Sequence, residues 1–341
     1  MRKQYINFIK FISILFVINI HLLSKAWNGS IPTSTNFKVL TFIDIMFLVC
    51  VPLFIMCSGT IFLNRNDSIK KIIFKYILKI YLIFILFNTL YKTADLIIYQ
   101  NGSITFSILK RIVIDSLLLR SIYHLWYLKI IIAMYFCIPL LNYIKKNNIK
   151  YIDHILLIVL LIFAKITPII FDNGSYITFM SIFGFILYYY LGYYLDKYAN
   201  KYYLIIMIPL AIISYIYTYT KTINYSISIG SPSVDHMQYQ SYNIMALSIL
   251  IFIIFKTIKN CFEKEKIKQF TEFVTRNNFY IYLIHGFVIA IFSYYNVINI
   301  YYYKHPSIIY IYGILIYVIS LIIVLPFTHL LNKYKKSHKF K

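Results

Sequence analysis

Two ionisable side chains bracket an apolar run near the start of the chain, in the segment KFISILFVINIH. Lys10 and His21 are 11 positions apart, which in a helix is three turns plus about 20°, so both lie on one face, about 16 Å apart along the axis. An imidazole titrates near neutral pH and can move a proton, whereas an ammonium carries a fixed charge. The spacing therefore predicts a groove with a proton acceptor at one end and a cation at the other.

Each of these two groups also has a purely structural interpretation. Lys10 can extend its amine to the headgroups of the inner membrane surface, and His21 can be a hydrogen-bonded histidine between helices. An ionisable side chain inside a bilayer nevertheless costs several kcal/mol unless it finds a partner or water, so each is a functional candidate. Their shared face favours the functional interpretation.

Further ionisable side chains interrupt the next apolar stretches. Asp44 lies about five residues inside the second run, where a carboxylate can hold an imidazole in one tautomer; alternatively, it lies at the outer headgroup boundary. The segment YHLWYLK contains His124 and Lys129. An interfacial aromatic belt explains Trp126 and Tyr127, but it does not explain these two ionisable groups.

Two later features are weaker signals. His285, in NNFYIYLIHGF, lies about six residues inside an apolar span, too deep for an interfacial group. Ser58-Gly59, in VPLFIMCSGTIFL, allows close approach of the backbone to another helix or to a ligand, and small-residue helix packing is the simpler of these two explanations.

The composition indicates a membrane protein. Of the 341 residues, 60% are hydrophobic and only 13% are charged, so the apolar side chains exceed what a soluble core of this size could bury. Ten runs can each cross a hydrocarbon layer about 30 Å thick as a helix. They lie at residues 5–24, 39–63, 72–92, 122–144, 152–171, 176–196, 203–220, 241–258, 279–298 and 308–331. We therefore predict an all-α polytopic fold with a single transmembrane domain over 1–341, a membrane region at 5–331 and a basic cytoplasmic tail at 332–341.

The basic residues predict the orientation. Of 34 Lys and Arg residues, 23 fall in the amino-terminal segment, in the even-numbered loops with the helix ends next to them, or in the tail, which places both termini in the cytoplasm by the positive-inside rule. The net charge of +23 is thereby explained by topology and membrane lipid, and nucleic acid is not needed as a partner. Three longer connections are expected to be an outer interfacial segment at 93–121, a polar outer loop at 221–240 and an amphipathic cytoplasmic surface segment at 259–278.

The four cysteines do not form a metal-ligand spacing. We interpret Cys50, Cys57, Cys137 and Cys261 as small packing residues and predict no metal.

These stretches, taken in order, resemble the acyltransferase-3 family of integral-membrane O-acyltransferases, which modify cell-surface polysaccharides and related glycans. The family opens with a basic residue, ten intervening residues and a histidine, as in KFISILFVINIH. Later stretches similar to the family's are VPLFIMCSG, HLWYL, YYYLGYYLD and IYLIHGF, and the matches extend from residue 10 to residue 287. The chain departs from the family after the second helix, where Lys71, Lys75 and Lys79 stand in place of a pair of arginines.

The resemblance implies an enzyme of the bacterial plasma membrane, an acyltransferase for groups other than amino-acyl groups. The implied donor is acyl-CoA, most simply acetyl-CoA. The implied acceptor is a hydroxyl of a cell-surface polysaccharide or of its lipid-linked glycan precursor, and membrane lipid surrounds the chain.

The resemblance also suggests residue roles. His21 would be the general base, or alternatively would carry the acyl group as a covalent intermediate. Lys10 would attract the phosphates of the donor. The other candidate donor-binding residues are Ser58, Lys71, Lys75 and Lys79. Oxyanion donors could be His124, Tyr127 or Ser58, and Asp44 and His285 would be orienting groups.

Two other classes of function remain open from the sequence. A polysaccharide flippase or exporter could use Lys129 and Lys165 to line a path for an anionic sugar. A non-catalytic membrane partner of a glycan-assembly system would tolerate the replacement of His21 by Gln, which a proton acceptor would not.

Overall fold

The computed structural model describes residues 3–100, 104–146, 151–170, 177–298 and 308–337, and within them all regular secondary structure is helical. The predicted all-α class is confirmed. The helices are α1 Gln4–Asn28, α2 Thr35–Phe47, α3 Cys50–Phe62, α4 Ile69–Lys71, α5 Leu78–Gln100, α6 Phe106–Leu117, α7 Trp126–Lys146, α8 Ile152–Ile170, α9 Ile177–Tyr198, α10 Tyr203–Ile229, α11 Tyr242–Thr257, α12 Glu265–Tyr294 and α13 Ile308–Ser337. A π-helical stretch, Ile72–Ile77, joins α4 to α5, and short 3-10 turns at Tyr123–Leu125 and Lys259–Glu263 follow α6 and α11.

Six helical segments among the described residues are long and apolar enough to cross a membrane, so the chain is a multi-pass membrane protein. They are Gln4–Asn28, Thr35–Phe62, Ile69–Ile98, Trp126–Lys145, Tyr203–Ile229 and Ile308–Leu330. The crossings expected at 152–171, 176–196, 241–258 and 279–298, and the cytoplasmic placement of both termini, stay predictions. Residues 338–341 of the expected tail lie outside the described residues.

The predicted second crossing is present as one segment, Thr35–Phe62, which consists of the two helices α2 and α3. The chain leaves the helix at Leu48 and Val49, between α2 and α3. Pro52 has no N–H to donate to the carbonyl of Leu48, so a continuous helix would leave that carbonyl without its hydrogen bond.

Two predicted connections are also helical over much of their length. α10 extends to Ile229 and ends at Gly230, whose φ of 72° is left-handed, the conformation that glycine adopts most easily at a helix end. The segment at 259–278, predicted as an amphipathic surface segment, is helical from Glu265, where the 30-residue helix α12 begins. Its place at the membrane surface stays a prediction. Neither Gly nor Pro interrupts the chain between Glu265 and His285.

The chain divides into two compact units, Met1–Phe54 with Tyr198–Lys341, and Ile55–Lys197. We call them the first and second units. The single domain expected over 1–341 stays a prediction.

In the first unit, α1 and α12 run parallel in contact along their length. Gln4 donates to Glu272 (2.8 Å), Asn278 donates to the Lys10 carbonyl (3.1 Å) and Lys25 donates to Ser293 (2.8 Å), always with the same sequence offset. Polar side chains thus bond across the interface at three places along the two helices.

In the second unit, α3 and α9 cross with their backbones in contact. A Cβ atom at Gly59 would lie 1.7 Å from the Tyr189 carbonyl oxygen, and one at Gly192 would lie 1.9 Å from the Met56 carbonyl oxygen. Thr60 completes the crossing by donating to the Gly192 carbonyl (2.8 Å). Two of the stretches that resemble the family, VPLFIMCSG and YYYLGYYLD, are therefore the two halves of one helix crossing.

This crossing makes the replacement Gly59→Ala strongly destabilising. The added methyl group cannot avoid the α9 backbone without separating the helices, so we expect a loss of at least about 3 kcal/mol of stability. Thermal unfolding of the purified protein in detergent measures it. The neighbouring replacement Ser58→Ala adds no bulk and is the control; equal unfolding temperatures for the two variants would contradict the tight crossing.

Candidate active site

The parallel packing of α1 and α12 brings two histidines together in the first unit. The ring centroids of His21 and His285 are 5.5 Å apart, with an angle of 33° between the ring planes, and a nitrogen of each ring lies within 4.8 Å of one of the other. His285 is fully buried, whereas His21 is half-buried. The sequence identified both residues but not their pairing.

The hydrogen bond of His285 determines its tautomer. Its Nδ1 lies 2.7 Å from the carbonyl oxygen of Tyr282, one turn earlier in α12. A carbonyl oxygen can only accept, so Nδ1 carries the proton, and in the neutral ring Nε2 is the proton acceptor. His285 is therefore fixed in orientation by its own helix.

Lys10 lies on the same helix as His21, and α1 is continuous from Gln4 to Asn28. The continuous helix that a shared face of Lys10 and His21 requires is therefore present. Lys10 is half-buried, and its backbone carbonyl accepts from Asn278 of α12. The α12 helix thus contacts α1 beside both candidate residues.

Asp44 of α2 is not brought into hydrogen-bond contact with His21. It is 9% exposed, and among the described residues no group bonds to its Oδ1. Burial raises the pKa of Tyr239, in the loop that follows α10, and the neighbouring Cys50 and Asp44 act in the same direction. Asp44 consequently lies near a residue of the loop that was expected to cover an external substrate.

The second unit holds the other sequence-predicted candidates. His124 is 5% exposed in the 3-10 turn before α7, and its ring stands edge-on to Tyr91 at 5.2 Å. Tyr127 is buried, although an interfacial belt would leave it exposed, and Trp126 packs at 6.0 Å against Phe185. Ser58 is half-buried beside the Gly59 crossing.

The lysines after the second predicted span differ in their environment. Lys71 forms a short ion pair with Asp67, which also accepts from Tyr76 (2.7 Å). Burial alone would raise the pKa of Asp67, but hydrogen bonds from Lys71 and Tyr76 outweigh it and hold the pKa below its ordinary value. Lys75 and Lys79 are exposed. Lys71 is therefore partly neutralised within the protein, which weakens it as a phosphate ligand.

Asn88, which the sequence analysis missed, positions the segment before His124. This fully buried amide of α5 donates to Ser116 (2.9 Å) and to the Arg120 carbonyl (3.1 Å), and it accepts from the N–H of Ile122 (3.0 Å). The available signal was a single amide near the end of the apolar run 72–92.

An ion-pair cluster holds the same segment. Asp115 accepts from Lys92 and from Arg120, each at 3.0 Å. The hydrogen bond from Lys92, with a smaller contribution from Arg120, lowers the pKa of Asp115. Because the folded-state pKa is lowered, this contribution to stability is present at neutral pH and is lost as the pH falls through that lowered value.

The fold and these sites define a class of protein, a multi-pass helical membrane protein with a paired histidine in its interior. The family model of acyltransferase-3, described as an acyltransferase domain, matches residues 3–329. The chain therefore belongs to the acyltransferase-3 family and, at the level of that family, is a membrane acyltransferase. No curated protein and no solved structure matches the chain.

Replacement of Asn88 tests its positioning role. Asn88→Ala removes three buried hydrogen bonds and leaves backbone groups without partners, so we expect a loss of about 3 kcal/mol of stability. Asn64→Ala is the matched control, since that amide is exposed and makes one hydrogen bond, to Thr60. Thermal unfolding in detergent compares the variants, and a loss no larger for Asn88 than for Asn64 would contradict the role.

Proposed function

We propose that the protein is an O-acyltransferase that transfers an acyl group, most simply acetyl, from acyl-CoA to a hydroxyl of a cell-surface polysaccharide or its lipid-linked precursor in the bacterial plasma membrane. The observation that carries the proposal is the pair of His21 and His285 on the packed helices α1 and α12, in a chain that matches an acyltransferase family over nearly its whole length.

The chemistry assigned to His21 is proton removal from the acceptor. The neutral imidazole accepts the hydroxyl proton while the hydroxyl oxygen forms a bond to the thioester carbonyl carbon. The C–S bond then breaks, and the proton passes from the imidazolium to the departing thiolate of coenzyme A. In the alternative route, a His21 nitrogen bonds to the thioester carbonyl carbon and the C–S bond breaks, which releases the coenzyme A thiolate. The acceptor hydroxyl oxygen then takes the acyl group from the imidazole, and its proton passes to the thiolate.

His285 is a positioning residue in this proposal. Its proton is held on Nδ1 by the Tyr282 carbonyl, so the second ring nitrogen is kept as an acceptor. A fixed neutral ring beside His21 disfavours a second positive charge on the pair, since like charges this close repel. The pair therefore carries at most one positive charge at a time, as a base that must release the accepted proton after each turnover requires.

The first test is loss of acyl esters from the surface glycan. The gene is deleted in its own host and complemented with wild type or with His21→Ala at matched membrane levels, and ester-linked acyl groups are quantified by mass spectrometry. We expect the ester to disappear on deletion and to return only with wild type, because alanine has no nitrogen that can accept the hydroxyl proton or carry the acyl group.

Two outcomes would overturn the proposal. Full rescue by His21→Ala would exclude the catalytic role of the imidazole. Unchanged ester content together with failure of the glycan to reach the surface would replace the transferase with an exporter.

The same assay tests His285. His285→Phe fills the volume but removes the acceptor nitrogen, so we expect ester formation to fall by about 10–100-fold at matched protein levels. His285→Gln, which offers an amide oxygen as acceptor, should recover part of the activity. Equal activities for the Phe and Gln variants would show that the residue only fills space.

A further inference from the structure

Asp44 is a carboxyl group of the first unit that is buried with one oxygen left unsatisfied by the described residues. Only 9% of its surface is exposed, and its Oδ1 atom accepts no hydrogen bond from those residues. The ion pairs among the described residues do not include it either. Holding an unpaired carboxylate out of water is costly, so a ligand that donates a hydrogen bond to it recovers part of that cost.

Two contacts join α1 to α2 on either side of this group. The indole N–H of Trp27 donates to the hydroxyl of Thr41 (2.9 Å), and the rings of Phe16 and Phe47 pack with their centroids 5.2 Å apart. The contact farther along α1 is the one nearer the start of α2, so the two helices are antiparallel. The residues that lie between these contacts are therefore at a common depth.

His21 of α1 and Asp44 of α2 both lie between the two contacts, so the proposed base and the unpaired carboxyl group are at the same depth. Their directions differ. His21 faces His285 of α12, whereas Asp44 is one turn from Thr41 and from Phe47, the residues of α2 that contact α1. The carboxyl group is therefore level with the site of proton transfer but is not part of it, as expected of a group that binds a non-reacting part of the substrate.

The loop between α10 and α11, residues 230–241, lies close to Asp44. Burial raises the pKa of Tyr239 in this loop, and the charge of Asp44 is among the nearby charges that raise it further. Such an effect is short-ranged, since screening weakens the interaction between distant charges. The Tyr215 hydroxyl of α10 also donates to the Phe42 carbonyl of α2. The loop therefore reaches Asp44 from a helix that is itself held against α2.

Hydrogen bonds at both ends keep this loop in position. The N–H of Ser233 donates to the hydroxyl of Ser226 near the end of α10 (3.0 Å), and the amide of Asn243 near the start of α11 donates to the His236 carbonyl (3.2 Å). The ring of His236 stands edge-on to Tyr225, with the centroids 5.5 Å apart. A loop fixed in this way can cover a substrate group without first paying the entropy of ordering.

We propose that Asp44 is an acceptor-binding residue, whose carboxyl group accepts a hydrogen bond from a non-reacting hydroxyl of the acceptor glycan beneath the loop at 230–241. This inference rests on the proposed function and adds the acceptor side of the same site. A carboxylate has about four lone-pair positions for hydrogen-bond donors, and a glycan presents hydroxyls on successive sugar units. A glycan can therefore reach both His21 and Asp44, whereas a small alcohol reaches only one of them.

Initial rates of acyl transfer by the purified full-length protein in detergent test this inference. The acceptor is the unacylated surface glycan from the deletion strain, and the donor is radiolabelled acetyl-CoA. We expect Asp44→Ala to raise the KM for the glycan by about tenfold, the effect of one lost hydrogen bond to a charged group, and to leave the KM for acetyl-CoA unchanged. Glu263→Gln removes an exposed carboxylate in the 3-10 turn after α11 and is the control, with both KM values equal to those of wild type.

Thermal unfolding distinguishes a binding carboxylate from a structural one. Asp44→Ala adds no bulk and removes an oxygen without a partner among the described residues, so its unfolding temperature should equal or exceed that of wild type. A lower unfolding temperature together with lost activity would show that Asp44 supports the fold, and the inference would be wrong.

The kinetic outcomes separate this inference from the proposed function. If wild type transfers no label to the glycan, the acyltransferase proposal itself is contradicted. If wild type is active and Asp44→Ala has the same KM for the glycan, the function stands and Asp44 is excluded from the acceptor site. A raised KM for acetyl-CoA alone would assign Asp44 to the donor and overturn the inference.

Asp44→Asn keeps the inference testable if Asp44→Ala does not accumulate in the membrane. The amide has the shape of the carboxyl group and retains one acceptor oxygen without the charge, so we expect the KM for the glycan to rise several-fold. A KM equal to that of wild type would contradict a hydrogen bond to the carboxylate.

Discussion

Polar groups between packed helices must be satisfied by the protein itself, and the interface of α1 with α12 shows how this chain meets that constraint. Polar side chains bond across the two parallel helices from Gln4 to Lys25. Each bond is worth only about 1 kcal/mol, but an unmade one costs more, so together they define which residues of the two helices are neighbours. The pairing of His21 with His285 is a consequence of that register.

Glycines at helix contacts also hold the helices of this chain together. Gly59 and Gly192 let α3 and α9 touch backbone to backbone in the second unit, and Gly313 of α13 leaves room for the side chain of Asn19 in the first. A Cβ atom at Gly313 would lie 2.4 Å from the Asn19 oxygen. Small residues therefore let helices approach closely enough for their polar groups to form hydrogen bonds. These contacts matter because lipid provides no hydrophobic driving force for helix association.

The fold was predictable where a run of apolar residues alone sets the structure. Six predicted crossings appear as helices of sufficient length, because an apolar run with satisfied backbone bonds has few other stable conformations in a membrane. Boundaries were less predictable. Pro52 interrupts the helical hydrogen bonds of the second run, and hydropathy does not detect this interruption because proline does not make the run polar. The helix α12 begins 14 residues before its apolar part, because hydropathy does not show where a helix with a polar first part begins.

The candidate site was predictable only within one helix. The residues themselves determined that Lys10 and His21 lie on one face of α1, since helical geometry relates positions in a single element. Tertiary structure decided that His285 is the neighbour of His21, that Asp44 is not bonded to it and that Asn88 supports the turn of His124. Contacts between helices far apart in sequence depend on which faces pack together, and apolar faces of similar composition do not encode that choice in any single stretch.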